Sequence, residues 1–140
     1  MSARPQGPRR PGGIVECYGY AYACGTGQGP DRVMGADDLR KHSSVRGTTT
    51  YRNPADARYQ PGDWIVTSSG HAGYVNKYGR IDHYLQVPGE IGKFRPDYNV
   101  LPPTIPGRKG GLAKNQSMEE FLNAGYRRQL GVSVDVLRRR

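Results

Sequence analysis

Three histidines and two cysteines are the residues of this 140-residue chain best suited to chemistry. Two of the histidines, His71 and His83, flank the segment Asn-Lys-Tyr-Gly at 76–79, which is typical of a β-hairpin turn. A three-residue loop at 77–79 would place both imidazoles on one face of the hairpin, as diagonal neighbours about 7–8 Å apart. A two-residue loop would place them on opposite faces.

Two imidazoles on one face are compatible with three kinds of site. Zinc would need a third and a fourth ligand, and the sequence has no Cys-x-x-Cys or His-x-x-x-His spacing. Ordinary core or surface histidines are the second alternative. The third is nucleophilic catalysis, in which an imidazole deprotonates a thiol at a helix start and a polar group fixes the tautomer of that imidazole. Cys17 as nucleophile, His71 as base and His83 as orienting residue satisfy this third pattern.

The first cysteine opens the run Cys-Tyr-Gly-Tyr-Ala-Tyr-Ala-Cys. The alternation of tyrosines with small residues favours a strand, whereas a nucleophile at Cys17 requires a helix that begins there. We predict a short buried helix over 17–24, ended by Gly25, with Cys24 as a thiol in the packing. Seven residues of helix separate the two cysteines by about 10 Å, too far for a disulfide.

The rest of the pattern predicts several short strands and few helices. The expected strands cover residues 64–66, 71–75, 80–87 and 132–136. Helices are expected over 35–44 and over 117–130, the second opened by a Ser-x-x-Glu capping box. Residues 45–60 are expected to be irregular, and the Pro- and Gly-rich residues 88–116 are expected to form a loop.

The net charge of +9 is concentrated at the two ends of the chain. Residues 1–13 carry +3 and residues 107–140 carry +5, whereas residues 14–106 carry only +1. Basic ends suit an anionic partner, such as a cell-wall polymer, nucleic acid or an acidic protein surface, or they are ordinary solvated surface. We expect a disordered basic arm over 1–13 and a single domain over 14–140.

No export or membrane segment is visible in the sequence. No apolar run approaches the roughly 20 residues that span a bilayer, and the basic N-terminus is not followed by the apolar stretch of a signal peptide. We therefore expect a protein that is cytoplasmic when made and is delivered or secreted by a route other than Sec.

Three segments, in chain order, resemble the signature of NlpC-type cysteine peptidases and of the related CHAP amidases. Glu-Cys-Tyr-Gly-Tyr-Ala at 16–21 resembles the family's Asp-Cys-Ser-Gly-Phe-Val. Residues 60–75, QPGDWIVTSSGHAGYV, resemble its Leu-x-Pro-Gly-Asp-Leu segment followed by His-Val-Gly-Ile-Tyr. Residues 79–86 resemble the next strand, which carries the third polar residue. The family-like core covers 14–90, and residues 91–140 form an extension of Pro/Gly-rich loop and C-terminal helix.

The resemblance implies an α+β fold of the reduced papain-like type. An N-terminal helix that bears the cysteine would pack on an antiparallel sheet that carries the histidines. By position, Cys17 resembles the nucleophile, His71 the base and His83 the orienting residue. Tyr18 and Tyr20, next to the nucleophile, are expected to contact substrate. Neither a metal nor another cofactor is expected.

The function implied by the resemblance is hydrolysis of stem-peptide amides in peptidoglycan, by an antibacterial effector, a toxin domain or a phage-associated lysin. A papain-like toxin that deamidates or cleaves a protein target would use the same residues. A small basic protein that binds nucleic acid, or that belongs to a phage particle, is the non-enzymatic alternative. The expected partners are peptidoglycan or a peptide substrate, with an immunity or delivery protein as a further candidate and no membrane.

Overall fold

The computed structural model describes residues 17–29, 34–85, 111–123 and 131–140. The arm expected over 1–13 and residues 88–110 of the expected loop lie outside these ranges. The helices are α1 (Cys17–Thr26), α2 (Ala36–Arg40) and α3 (Met118–Asn123), with a short 3-10 helix at Pro54–Asp56. The strands are β1 (Val45–Tyr51), β2 (Trp64–Thr67), β3 (Ala72–Val75), β4 (Ile81–Leu85), β5 (Gly111–Gln116) and β6 (Val134–Arg139).

The described strands form one open antiparallel sheet in the order β1-β6-β2-β3-β4-β5. The expected α+β class is therefore confirmed. β6 lies between β1 and β2, so the C-terminal residues are part of the sheet interior and not an appendage to it. The helix expected over 35–44 is present but shorter, as α2. Within the described ranges, no helix is long and apolar enough to cross a membrane.

The β3–β4 hairpin has the register expected from a three-residue loop. Val75 pairs with Ile81, and the Asn76 N–H donates to the Arg80 carbonyl at 2.7 Å. Gly79 closes the turn with a φ of 77°, a conformation that side chains with a Cβ disfavour. The two flanking histidines therefore share one face of the hairpin, as predicted.

The first described segment, residues 17–26, is a helix. The catalytic interpretation predicted this helix, whereas the alternation of tyrosines favoured a strand. α1 packs across β3 and β4, and its buried side chains include Tyr20 and Cys24. Burial against the sheet outweighs the strand propensity of the tyrosines. The helix does not end at Gly25. It continues to Thr26, and the next residue, Gly27, takes a φ of 77°.

Gly25 makes room for a half-buried arginine. A Cβ at Gly25 would lie 2.5 Å from Nη1 of Arg139 and 2.7 Å from Nε1 of Trp64. The Arg139 guanidinium donates to the carbonyl oxygens of Gly25 (2.9 Å) and Gly62 (3.0 Å) and to the Ser44 hydroxyl (3.0 Å). It also lies 4.0 Å from the centroid of the Trp64 ring. Part of the basic C-terminus is therefore a structural clamp between α1 and the sheet.

Two segments that were expected to be irregular are strands. Residues 45–51 of the predicted irregular stretch form β1, which pairs with β6, and residues 111–116 of the predicted loop form β5, which pairs with β4. Both strands lie at the outer edges of the sheet, and the five central residues of β1 are exposed. An edge strand with an uncovered face does not need the apolar alternation that signals a half-buried strand. The predictions for these residues were therefore wrong.

The two faces of the sheet carry different clusters, which we name by the helices that cover them. The α1 face contains Trp64, Val66, Ala72, Tyr84 and Leu137 together with residues of α1. The α3 face contains Ile65, Val75, Ile81 and Val134 together with Phe121 of α3. Successive residues of a strand point to opposite faces, so neighbours such as Ala72 and Gly73 belong to different clusters.

α3 begins with the predicted capping box. The Ser117 N–H donates to Oε1 of Glu120 at 2.8 Å, and the Glu120 N–H donates to the Ser117 hydroxyl at 3.1 Å. Phe121 is fully buried and anchors the helix on the α3 face. The predicted continuation over 124–130 lies outside the described residues.

Candidate active site

The two histidines that flank the hairpin are hydrogen-bonded directly to each other. Nε2 of His71 lies 2.8 Å from Nδ1 of His83, and the ring planes are nearly perpendicular at 82°. His71 precedes β3 by one residue and His83 is the third residue of β4. The hairpin register therefore brings the predicted base and the predicted orienting residue together.

A third polar side chain extends this pair and was not predicted. Oε1 of Gln116 lies 3.1 Å from Nε2 of His83, at the end of β5. Gln116 belongs to a segment that the sequence indicated as loop, so no local pattern marked it. Only the long-range pairing of β4 with β5 places it beside the histidines.

Phe121 encloses the two rings from the side of α3. Its ring stacks on His71, with centroids 5.2 Å apart and planes at 25°, and meets His83 edge-on at 4.8 Å and 86°. His83 is fully buried at 0% exposure, whereas His71 is partly exposed. A solute can therefore reach His71, whereas His83 is shielded from solvent by the side chains around it.

Both rings are neutral at pH 7. Desolvation, reinforced by the neighbouring His83, holds the pKa of His71 well below its usual value. Desolvation lowers the pKa of His83 to about 4, although the hydrogen bond with Gln116 acts in the opposite direction. A neutral imidazole keeps a lone pair that can accept a proton, which is the state a general base needs.

Cys17 lies at the first residue of α1, and its Sγ is 4.0 Å from the carbonyl oxygen of Gly70. Gly70 is the residue before His71. α1 covers the α1 face of the sheet, whereas the His71 ring stacks on Phe121 on the α3 face. Thiol and imidazole thus approach one turn from opposite sides of the sheet. At this turn the thiol sulfur contacts the Gly70 carbonyl oxygen.

The two tyrosines beside Cys17 differ in exposure. Tyr20 is 2% exposed and packs with Cys24 and Tyr84 in the core. The expectation that Tyr20 contacts substrate therefore needs correction, because its side chain is enclosed between α1 and the sheet. Tyr18 is partly exposed, and a Cβ on Gly70 would lie 3.8 Å from its hydroxyl. Of the two, Tyr18 is the one that borders the turn at Gly70.

The third histidine is not part of this site. The His42 ring meets Tyr22 and Trp64 at centroid distances of 5.6 and 5.5 Å. Burial, followed by the charge of Arg139, lowers its pKa. Within the described ranges, no group of three or more His, Cys, Asp or Glu side chains is arranged to hold a metal ion.

A cavity of about 620 Å³ lies elsewhere on the molecule. Its described lining comes from the 3-10 helix and the residues before it, from α3, and from Gly131 and Val132. Neither Cys17 nor His71 is among these lining residues, so the cavity is separate from the histidine pair.

No family model, curated protein or solved structure matches this chain.

Proposed function

We propose that this protein is a cysteine-dependent amide hydrolase of the reduced papain-like type, with Cys17 as nucleophile, His71 as general base and His83 as orienting residue. The observation that carries the proposal is the 2.8 Å hydrogen bond between Nε2 of His71 and Nδ1 of His83. This bond occupies one nitrogen of a neutral, partly exposed imidazole and leaves the other for proton transfer. The position of Cys17 at a helix start, next to the turn before His71, adds support.

The proposed reaction is acyl transfer in two steps. His71 takes the thiol proton of Cys17, and the thiolate attacks the amide carbonyl to form a tetrahedral intermediate. Backbone N–H groups at the start of α1 stabilise the oxyanion. The protonated His71 then gives its proton to the leaving amine as the C–N bond breaks. Water, deprotonated by His71, hydrolyses the thioester and releases the acid and the free thiol.

This mechanism requires Cys17 and His71 to meet at the Gly70 turn. Rotation about the Cys17 χ1 torsion would move the thiol away from the Gly70 carbonyl. The rate of iodoacetamide alkylation, measured as a function of pH in a Cys24→Ala background that leaves one thiol, tests whether the Cys17 thiol and the His71 imidazole are coupled. A rate profile that lies at lower pH than the profile of the same protein with His71→Ala supports a thiol–imidazole pair. Superimposed profiles count against His71 as the base.

The proposed substrates are stem-peptide amides of peptidoglycan. The support is the resemblance of residues 16–21 and 60–75 to NlpC-type peptidases, together with the basic ends of the chain, which complement an anionic wall polymer. The same residues would deamidate or cleave a protein target, so the substrate has to be tested separately from the reaction.

Purified sacculi provide that test, with released muropeptides as the readout. We expect release by the wild type, and none by Cys17→Ala or His71→Ala. Cys24→Ala is the matched control, because this second thiol of α1 packs in the core and should leave activity in place. Full activity in either of the first two variants would refute the mechanism. Intact sacculi with an alkylatable Cys17 would point to a protein substrate, and salt-sensitive nucleic-acid binding with an unreactive Cys17 would favour the non-enzymatic alternative.

A further inference from the structure

β4 and β5 contain a one-residue bulge beside the histidine pair. His83 pairs with Ala113, but Ile81 pairs with Gln116. Two residues of β5 therefore lie opposite one residue of β4, which defines a β-bulge. In an unbroken ladder Gln116 would lie one position further along, and its side chain would point to the opposite face from His83. The bulge is what turns the Gln116 amide toward the imidazole.

The bulge is held by a partly buried polar network. Asn115 takes a φ of 59°, a left-handed conformation that asparagine tolerates better than most residues. Its N–H donates to Oδ1 of Asp82 at 2.9 Å. The Asn76 side-chain amide donates to the same Asp82 oxygen at 2.9 Å and to Oδ1 of Asn115 at 2.7 Å. Asp82 is only 6% exposed, whereas Asn115 is exposed, so the extra residue is fixed by its bonds to a buried carboxylate and to the Asn76 amide.

We infer that Gln116 is a positioning residue that sets the tautomers of both histidines and leaves the lone pair of His71 on Nδ1. An amide oxygen can only accept, so Nε2 of His83 carries its hydrogen toward Oε1 of Gln116. A neutral imidazole has one N–H, so Nδ1 of His83 is an acceptor and Nε2 of His71 donates to it. Nδ1 of His71 is then the unprotonated nitrogen. The use of Nδ1 of His71 as a base rests on the proposed hydrolase function, whereas the assignment of the two tautomers does not.

Removing the acceptor at position 116 should shift part of the His71 and His83 population from the Nε2–H to the Nδ1–H tautomer. Without it, His83 is equally able to donate through Nδ1, and His71 would then accept at Nε2 and carry its hydrogen on Nδ1. One neutral hydrogen bond corresponds to a change in the tautomer ratio of a few-fold up to about tenfold. The second tautomer presents no lone pair at Nδ1, so it lacks the base that the proposed mechanism uses.

Imidazole ¹⁵N chemical shifts of the full-length protein at pH 7.5 test the assignment directly. We expect wild-type His83 and His71 both to be protonated on Nε2. Gln116→Leu should move both rings toward the Nδ1–H tautomer, whereas Gln116→Glu, which keeps an acceptor, should retain the wild-type pattern. An unprotonated Nε2 on wild-type His83, or identical tautomers in the wild type and Gln116→Leu, would overturn the inference.

The bulge offers a second, independent pair of variants. Asn115→Gly and Asn115→Val both remove the side-chain amide, but only glycine adopts the positive φ without strain. We expect wild-type tautomers in Asn115→Gly and the Gln116→Leu pattern in Asn115→Val, and the same pattern in both would overturn the role of the bulge. Muropeptide release is measured on the same samples. A wild type with the expected tautomers and no hydrolysis would separate failure of the proposed function from failure of this inference.

Discussion

His83 should make the stability of the fold depend on pH between about 4 and 6.5. Its side chain is 0% exposed and its pKa is lowered by desolvation to about 4, against about 6.5 for histidine in an unfolded chain. Between these two values the unfolded state binds a proton that the folded state does not. Lowering the pH through this window therefore favours unfolding, and raising it above about 6.5 adds nothing further.

The two pKa values give the size of the effect. Lowering the pH from 7 to 4.5 should remove about 2–3 kcal/mol of unfolding free energy through His83, since one pKa unit corresponds to about 1.4 kcal/mol. Carboxylates that titrate in the same range add their own losses. A comparison with a variant that cannot titrate at position 83 is needed to isolate the histidine.

His83→Gln is the matched variant for this comparison. Its amide can accept from Nε2 of His71 and donate to Oε1 of Gln116, so it can preserve the hydrogen-bond chain without a titratable ring. Urea unfolding at pH 7 and at pH 4.5 should show a loss in the wild type that exceeds the loss in His83→Gln by about 2–3 kcal/mol. His42→Gln reports the separate contribution of a histidine whose pKa is also lowered, by burial and by the charge of Arg139.

Parallel losses in the wild type and in His83→Gln would refute the reasoning. They would mean that His83 takes up a proton in the folded protein as readily as in the unfolded one, so that it is not desolvated. Gln116→Glu should show a smaller loss than the wild type, because a carboxylate next to the ring stabilises its protonated form and raises the pKa of His83 in the folded protein toward its unfolded value.

Three substitutions away from the site test the packing that holds α1 and α3 to the sheet. Arg139→Ala removes a half-buried guanidinium with three acceptors and should cost about 2–4 kcal/mol of unfolding free energy, against less than about 0.5 kcal/mol for the exposed Arg46→Ala. Gly25→Ala forces a Cβ to within 2.5 Å of that guanidinium and should cost about 1–3 kcal/mol, whereas Gly47→Ala, with open space around it, should cost far less. Ser117→Ala removes half of the capping box and should cost about 1 kcal/mol. Denaturant midpoints measured on all five variants check these orders, and equal effects in a variant and its control would contradict the packing account.

Local signals predicted the parts of the fold that local chemistry determines. Gly79 in a turn between two apolar stretches indicated the hairpin, and of the two loop lengths left open the three-residue one placed His71 and His83 on a common face. The Ser117–Glu120 pair located the start of α3. In each case the determining contacts lie within a few residues of one another, so they leave a readable spacing in the sequence.

Contacts between distant segments left no comparable signal. β1 and β5 are polar edge strands, and what makes them strands is a partner far away in the chain. Arg139 reads as part of a basic tail, yet its acceptors belong to residues 25, 44 and 62. Gln116 joins the site only because a bulge in β5 reverses the side of the sheet to which it points. A single sequence does not reveal such a change of face, because the inserted residue looks like any other polar residue.

The placement of Cys17 relative to His71 likewise depends on contacts between distant segments. Chain order in a motif gives the sequence positions of nucleophile and base but not the faces of the sheet on which they lie. β3 places Ala72 toward α1, so the residues on either side of it, His71 and Gly73, point toward Phe121 instead. The described contact between the Cys17 thiol and the turn before His71 is the one with the Gly70 carbonyl, so the proposed chemistry depends on the geometry of the chain at Gly70.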